Sequence, residues 1–484
     1  MKRSHFAPVR MCSLLPLLTV FAVRGLAAEG GWISLFDGVS LAGWKAGENP
    51  ASFKIVDGAI ATDGPRAHLF YMGDDAASPA EFENFEFSIE AMTKPGANSG
   101  VYFHAAWIGQ GWPTERGFEV QVDNSQPLQG NYIENKRTGS LYGVRNVYPR
   151  LVRDNEWFTL SIVVRKPRVE IRVNGVLVVD YVEPAEPLPV GAPKFNRLGR
   201  GTFALQAHDA QSHAFFRNIR VRPLPPTPAG SIAPPLLTAE AALLLPLAKD
   251  NFPLVDLNTH LGPAFPLERA LAQSRATGIG LGVVATDAAG APVRTDAAAR
   301  AFLDRTKGQA VFFVLRPEDR SWTKVISRET RARFDTIIAD ARTFTPPAVG
   351  SDEQAYMDKL VAQTVEILAT EPVDVYANPT FLPAALASRV DALWTEERMQ
   401  KIIAAAVAND VAIEINTSRR LPSERFIRLA KTAGAKFTLG TGAIRAESVD
   451  RSYGWEMQKA AALNWRNMYE PGHKPTRAQR EAGL

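Results

Sequence analysis

The feature that most limits how this chain can fold is a change of hydrophobic period across a proline-dense stretch. Six prolines lie between Pro223 and Pro235, and each removes a backbone donor and fixes φ, which excludes a helix interior or a central strand there. Before it, short runs alternate apolar and polar residues and are broken by Gly, Asn and Asp. Examples are Phe53-Lys54-Ile55-Val56, Phe85-Glu86-Phe87-Ser88-Ile89, Phe118-Glu119-Val120-Gln121-Val122 and Thr159-Leu160-Ser161-Ile162-Val163. Period two over many short runs predicts an antiparallel sandwich. Asn174-Gly175, between two such runs, predicts a tight hairpin because both residues tolerate positive φ. Beyond the prolines, apolar strands at 254–257, 280–286, 311–315, 373–377, 411–415 and 437–439 alternate with helices beginning near Leu267, Glu329, Asp352, Glu396 and Ser423. That alternation predicts a parallel sheet or barrel.

The expected organisation is a signal segment at 1–28, an all-β domain at 31–224, a Pro-rich linker at 225–247 and an α/β domain at 248–484. The signal rests on a basic start, an apolar run from Leu14 to Val23 and the small residues around Ala27. The run is shorter than the roughly 20 residues that span a bilayer, and Pro16 interrupts it. An exported protein, periplasmic or secreted, without a membrane span is therefore expected. The formal charge is +4, and Lys2, Arg3, Arg10 and Arg24 account for it, because no acidic residue precedes Ala28. No concentrated basic face remains to neutralise phosphates, so nucleic acid is set aside as a partner. Cys12 is the only cysteine and leaves with the signal. Disulfides, Cys-ligated zinc and a Cys nucleophile are thereby excluded from the mature chain.

In the all-β half, alternation along 118–123 sends Phe118, Val120 and Val122 to one face and Glu119, Gln121 and Asp123 to the other. That polar face is either solvated surface or a site. Near it in sequence stand Glu90, Asn98, His104, Trp107 and Trp112, with Gln206 and His208 on a later run. Exposed aromatic rings suit stacking on sugar rings, while convergent polar groups fix orientation. Arg217 shares the parity of Ile219 and Val221, which predicts a half-buried side chain needing a carboxylate partner.

The order of several motifs resembles the 3-keto-disaccharide hydrolase domain family. They are Leu35-Phe36-Asp37-Gly38, Leu41-Ala42-Gly43-Trp44, Asn98-Ser99-Gly100-Val101, Gly117-Phe118-Glu119-Val120-Gln121, Leu141-Tyr142-Gly143, Asn155-Glu156-Trp157, Val173-Asn174-Gly175, Leu205-Gln206-Ala207-His208 and Phe216-Arg217-Asn218-Ile219. The resemblance implies a concanavalin A-like jelly-roll sandwich and an oxidised glycoside as substrate, with a non-catalytic carbohydrate-binding module as the alternative. It implies Glu119 as base or metal ligand, and His208 and His104 as acid/base or enolate-stabilising groups. Glu90, Asn98, Gln121, Asp123, Tyr142, Trp107, Trp112, Gln206 and Arg217 would contact sugar, and Glu90, Gln121 and Asp123 could hold a hard cation such as calcium.

In the second half, Val255-Asp256-Leu257-Asn258-Thr259-His260 is similar to the opening of the PHP (polymerase and histidinol phosphatase) metal-dependent phosphoesterases. Thr286-Asp287-Ala288, Ala377-Asn378-Pro379-Thr380, Ala412-Ile413-Glu414-Ile415-Asn416 and Gly440-Thr441-Gly442-Ala443-Ile444 follow in the same order. The resemblance implies a distorted (βα)7 barrel. Asn258, Ala288, Asn378, Gly442 and Ile444 stand where metal-binding side chains are expected, leaving His260, Asp287 and Glu414 as a residual set. Amides, methyl groups and hydrogen do not replace imidazole or carboxylate donors to a catalytic cation cluster, so a barrel without ordinary phosphoesterase activity is expected.

Overall fold

The computed structural model describes residues 27–28, 31–75, 77–113, 116–125, 133–185, 197–340 and 352–484. The expected signal segment up to residue 26 lies outside the described residues.

The alternating half folds as two antiparallel sheets. A nine-stranded sheet runs in the order Ala27–Ala28, Trp32–Ser34, Ala214–Pro223, Phe85–Thr93, Phe158–Arg165, Arg168–Val173 and Val176–Val182, with the hairpin Phe53–Val56 and Ala59–Thr62 joined to Ala214–Pro223. A five-stranded sheet runs Trp44–Ala46, Ala67–Tyr71, Thr202–Ala207, Asn98–Ala105 and Phe118–Asp123. The inward residues of both sheets interdigitate. Phe87 stacks on Phe203 with centroids 4.4 Å apart, and Phe85 meets Phe103 edge-on at 6.0 Å. Asn174 and Gly175 both take positive φ, 48° and 82°, and close the hairpin between Arg168–Val173 and Val176–Val182.

Beyond the prolines, seven parallel strands close a barrel: Val255–His260, Gly280–Val284, Phe312–Leu315, Thr336–Ala339, Val375–Tyr376, Ala412–Asn416 and Phe437–Gly440. The strand Thr336–Ala339 is one that apolar patterning missed. A helix was expected to run on from Glu329, but it ends at Arg331, and the short Thr336-Ile337-Ile338-Ala339 run is too brief to declare its type by period alone. Among the described residues no helix is long and apolar enough to cross a membrane.

The expected linker 225–247 is only partly a linker. Thr238 caps a helix, Ala239–Lys249, by accepting from the Ala241 backbone N–H. Leu244 and Ala248 of this helix enter the barrel core while Leu245 enters the sandwich core. In the opposite direction, Tyr148 of the sandwich domain is buried in the barrel core, 2% exposed. Gly280 makes room for it, because a Cβ there would lie 2.9 Å from Tyr148 Cδ2. The two cores are thus fastened by side chains that each lends to the other. Tyr148→Ala is expected to cost about 3–5 kcal/mol, in the range for buried aromatic truncations, and to split the calorimetric unfolding trace into separate sandwich and barrel transitions.

Candidate active site

Strand register brings the polar residues of the five-stranded sheet to one face. Glu119 lies opposite Tyr102, Gln121 opposite Gly100, and Asp123 opposite Asn98. Tyr102 lies opposite Ala204, and Gln206 opposite His68. Leu69, Phe103, Phe118, Val120 and Leu205 point the other way, into the sandwich core. Pleating therefore sets Glu119, Tyr102, Gln206 and His68 side by side on the outer face.

Gln206 Nε2 donates to both Tyr102 Oη, at 2.9 Å, and Glu119 Oε1, at 3.0 Å. Burial pushes the Glu119 carboxyl up to about 7, a rise that hydrogen bonds from Tyr102 and Gln206 and the Lys136 ammonium moderate and that Glu134 adds to. Gly100 is what admits this carboxylate: a Cβ there would stand 2.3 Å from Glu119 Oε1. Both ring nitrogens of buried His68, Oε1 of Gln206 and Oε1 of Gln121 make no protein hydrogen bond of normal geometry. Buried polar groups are nearly always paired, so these atoms leave hydrogen-bonding capacity on this face, with the His68 ring beside the Gly111 backbone. Burial lowers His68 to about 4 and keeps the ring neutral at ordinary pH.

One edge of this face is aromatic. The Trp112 ring packs 5.4 Å from both the His68 and the His208 rings, and Arg66 lies over it. Trp112 and Trp107 are each more than a third exposed, and Lys45 Nζ sits 4.7 Å above Trp107. His208 Nδ1 is 2.7 Å from Asp209 Oδ2, and Asp209 also accepts from Ser212 Oγ at 3.0 Å and the Gln211 N–H at 2.8 Å. That arrangement fixes the imidazole's orientation.

Residues 31–222 match the 3-keto-alpha-glucoside-1,2-lyase-like domain family. The N-terminal domain belongs to that family. A 3-keto-disaccharide hydrolase of Bacteroides thetaiotaomicron is 26% identical over 232 residues, spanning 40% of this chain and 79% of that protein. Among solved structures, one from Parabacteroides distasonis described as a glycosyl hydrolase is 20% identical, with a TM-score of 0.34, over 40% of this chain and 94% of its own. A carbohydrate binding module from Bacillus subtilis is 13% identical, with a TM-score of 0.25, over 37% of this chain and 94% of its own.

Within the lyase-like domain, not every residue expected at the site is there. His104 is a correction. It takes φ 54°, and the ladder to Thr202–Ala207 shifts register at this point, so the alternation slips. Ala105 joins Phe70, Met72, Tyr102 and Ala204 on the outer face, while the His104 ring packs on Phe85 and Phe103. It is 1% exposed, its Nε2 bonding the Glu83 carbonyl at 2.9 Å and its Nδ1 accepting from Gly199 N at 3.2 Å, so its role is structural. Arg217 is a correction of the same origin, and Glu90 is a correction because its regularly alternating strand belongs to the other sheet. A bulge at Asn218, φ 51°, puts two residues between inward Phe216 and inward Ile219. Arg217 consequently faces out from the other sheet, pairing Glu90 at 2.8 Å and stacking 3.9 Å over Trp157, away from Glu119. The carboxylate partner expected for it exists, but on the wrong side of the sandwich for sugar.

Asn98, Gln121 and Asp123 share the site face and are largely consumed by structure. Asn98 Oδ1 accepts from Gln121 Nε2 at 3.1 Å, and Asp123 Oδ1 accepts from Arg137 at 2.6 Å. With Glu90 on the other sheet and Asp123 neutralised by Arg137, the expected donor set does not fit a calcium ion. Tyr142 borders the face, its hydroxyl donating to Glu134 Oε2 at 3.2 Å.

The residual set in the barrel does not converge either. Asp287 Oδ1 caps its own loop through the Ala289 and Ala291 N–H groups. Glu414 is buried, which raises its pKa, and accepts from Asn378 N, Asn258 Nδ2 and Asn416 Nδ2 at 2.8, 2.6 and 3.4 Å. His260 Nε2 lies 3.0 Å from Asn258 Oδ1 and 3.2 Å from Arg316, whose guanidinium pairs Asp340 at 3.1 Å. An internal cation thus neutralises this end of the barrel, and among the described residues no group of three or more His, Cys, Asp or Glu could hold a metal.

Sequence reasoning missed Tyr102 and His68, although each carries a weak signal: Tyr102 has the parity of Gly100 and Asn98, and His68 interrupts an apolar run. It also missed Glu134 and Lys136, which look like loop charges and are buried only by tertiary contacts. A carboxyl-carbon NMR titration is expected to give midpoints near 7 for two side chains, Glu119 and Asp123, and Glu119→Gln is expected to abolish the first and leave the second.

Proposed function

We propose that this is an exported glycoside-processing enzyme whose N-terminal domain cleaves 3-keto-glycosides, with Glu119 as the base. The observation that carries the reading is a single one: a carboxylate at about 7, held by Gln206 and Tyr102 on a face of unpartnered polar groups. Membership of the lyase-like family and the hydrolase name of the Bacteroides relative support the same class of substrate. A general base works best when its pKa lies near the working pH.

The chemistry follows from the ketone. It acidifies the C2 proton of the sugar, and Glu119 takes that proton while the C–H electron pair moves into an enolate on the C3 oxygen. Collapse of the enolate forms a C1–C2 double bond and breaks the C1–O bond. The aglycone oxygen leaves with the electron pair and takes a proton, for which His208, oriented by Asp209, is the candidate donor. Water adding across the double bond yields the free 3-keto sugar. Tyr102 Oη, whose hydrogen bond to Glu119 weakens once that carboxylate takes the proton, is a donor that can turn to developing oxyanion charge, and Trp112 offers a ring for the apolar sugar face.

Glu119→Gln is expected to lower kcat/KM on a 3-keto-glucoside by about 10²- to 10⁴-fold, the usual contribution of a positioned base. In the wild type kcat/KM should rise with pH through about 7, because the carboxylate must be deprotonated to act. Full turnover by the Gln variant would remove Glu119 from the mechanism. Gly100→Ala drives a methyl into Glu119 and should cost about 100-fold, as misplacement of a catalytic group by an ångström does, with an unchanged circular dichroism spectrum.

A further inference from the structure

The lyase-like site is not walled by the sandwich alone. Residues 133–142 form a wall beside the Glu119 strand, and 138–142 pair with it irregularly: Tyr142 N donates to the Glu119 carbonyl, Gln121 N to Ser140 O, Gly139 N to Gln121 O and Thr138 N to Asp123 O, all at 3.0 Å. This wall carries a salt bridge, Lys136 Nζ to Glu134 Oε1 at 3.1 Å, with each side chain 1% exposed. Lys136 Nζ also lies 4.4 Å over the Tyr142 ring, and Tyr142 bonds Glu134. A buried ammonium needs acceptors to compensate for lost water. Besides Glu134, the acceptor is a residue from beyond the proline stretch.

That residue is Asn251, in the turn between the helix Ala239–Lys249 and the barrel strand Val255–His260. Its Oδ1 accepts from Lys136 Nζ at 3.1 Å and from Asn135 N at 2.9 Å. Its Nδ2 donates to the Ile133 carbonyl, and its own carbonyl accepts from Asn135 Nδ2 at 2.9 Å. One side chain with its peptide thus grips Ile133, Asn135 and Lys136 at the wall's start, the last of these being one of its two buried charges. A second segment from beyond the barrel's last strand reaches the same region. Glu470 is buried near Arg137 and Arg150, and its Oε2 has no hydrogen-bond partner.

We propose that Asn251 is a positioning residue for the sandwich's active site, supplied by the barrel domain, and that holding this wall is a function of the barrel. The inference rests on reading Glu119 as the base. The charged and titratable groups facing Glu119 are Tyr102 from the adjoining strand and Glu134 and Lys136 from the wall, with Tyr142 beside Tyr102. Lys136 favours the ionised carboxylate and Glu134 opposes it. Fixing where the ammonium sits therefore fixes how readily Glu119 is deprotonated, as well as where its strand lies.

Asn251→Gly in the full-length protein is the clean test, since Asn251 has φ 65° and glycine keeps that backbone while removing the amide. Loss of positioning is expected to lower kcat on a 3-keto-glucoside by about tenfold or more with little change in KM. The acid limb of the pH profile should move to higher pH, because a less well-held ammonium stabilises the carboxylate less. Amide hydrogen exchange across 133–142 should accelerate by about tenfold or more while the barrel strands keep their protection. Asn251→Asp, which retains the acceptor for Lys136 and Asn135, should recover part of the rate. An Asn251→Gly protein with wild-type kcat, pH profile and exchange, in an enzyme that Glu119→Gln inactivates, overturns this proposal alone. Full turnover by Glu119→Gln overturns the reading beneath it, and the proposal with it.

Discussion

Residues 133–148 join the two domains: Leu141, Val144 and Val147 are buried in the sandwich core, Tyr148 in the barrel core, and much else follows from that double membership. Backbone groups of 138–142 extend the sheet that carries Glu119, while Asn251 holds Asn135 and Lys136 and the barrel core takes in Tyr148. Charged residues cannot leave water without partners, so Glu134, Lys136 and Arg137 are tolerable in the interior only because the second domain closes over a network already made. Tyr148 and Leu245, each buried in the other domain's core, hold that closure in place.

The chemistry of the site grows from the same economy of burial. A carboxylate in an exposed strand would titrate as ordinary Glu does. Glu119 does not, because the residues packed around it strip most of its water and its compensation comes from one shared amide N–H, one phenol and a cation a short way off. Such partial compensation leaves a group that is neither locked as an anion nor held neutral, which is what proton abstraction near neutral pH requires. The barrel's own polar end shows the opposite outcome. There Glu414 and Asp340 are satisfied by asparagine amides, a backbone N–H and Arg316, and a fully paired network has little left to offer a ligand.

Alternation located Glu119, Gln121, Asp123 and Gln206 on one face because a strand's period is two and pleating does the rest. It failed at His104 and Arg217 for one shared reason. Each sits at a register shift beside a positive φ, at His104 itself and at Asn218, and beyond such a shift every side chain changes face. Nothing in a single sequence announces a bulge when the residue adopting positive φ is a histidine. The buried pair Glu134 and Lys136 was illegible for a different reason: a Glu-Asn-Lys-Arg run has the composition of a solvated loop, and its burial is decided by residues more than a hundred positions away.

By itself the sequence determined the class of each half, the hairpin at Asn174-Gly175 and the strand that carries Glu119. These depend on local period and turn geometry, which neighbouring residues settle. Only the tertiary structure decided which polar residues meet, which of them remain unpartnered, and that the helix at 239–249 joins two cores instead of linking two separate domains. Those outcomes are set by register shifts and by contacts between segments far apart in the chain, and desolvation, the force that shapes Glu119, exists only once those segments have come together.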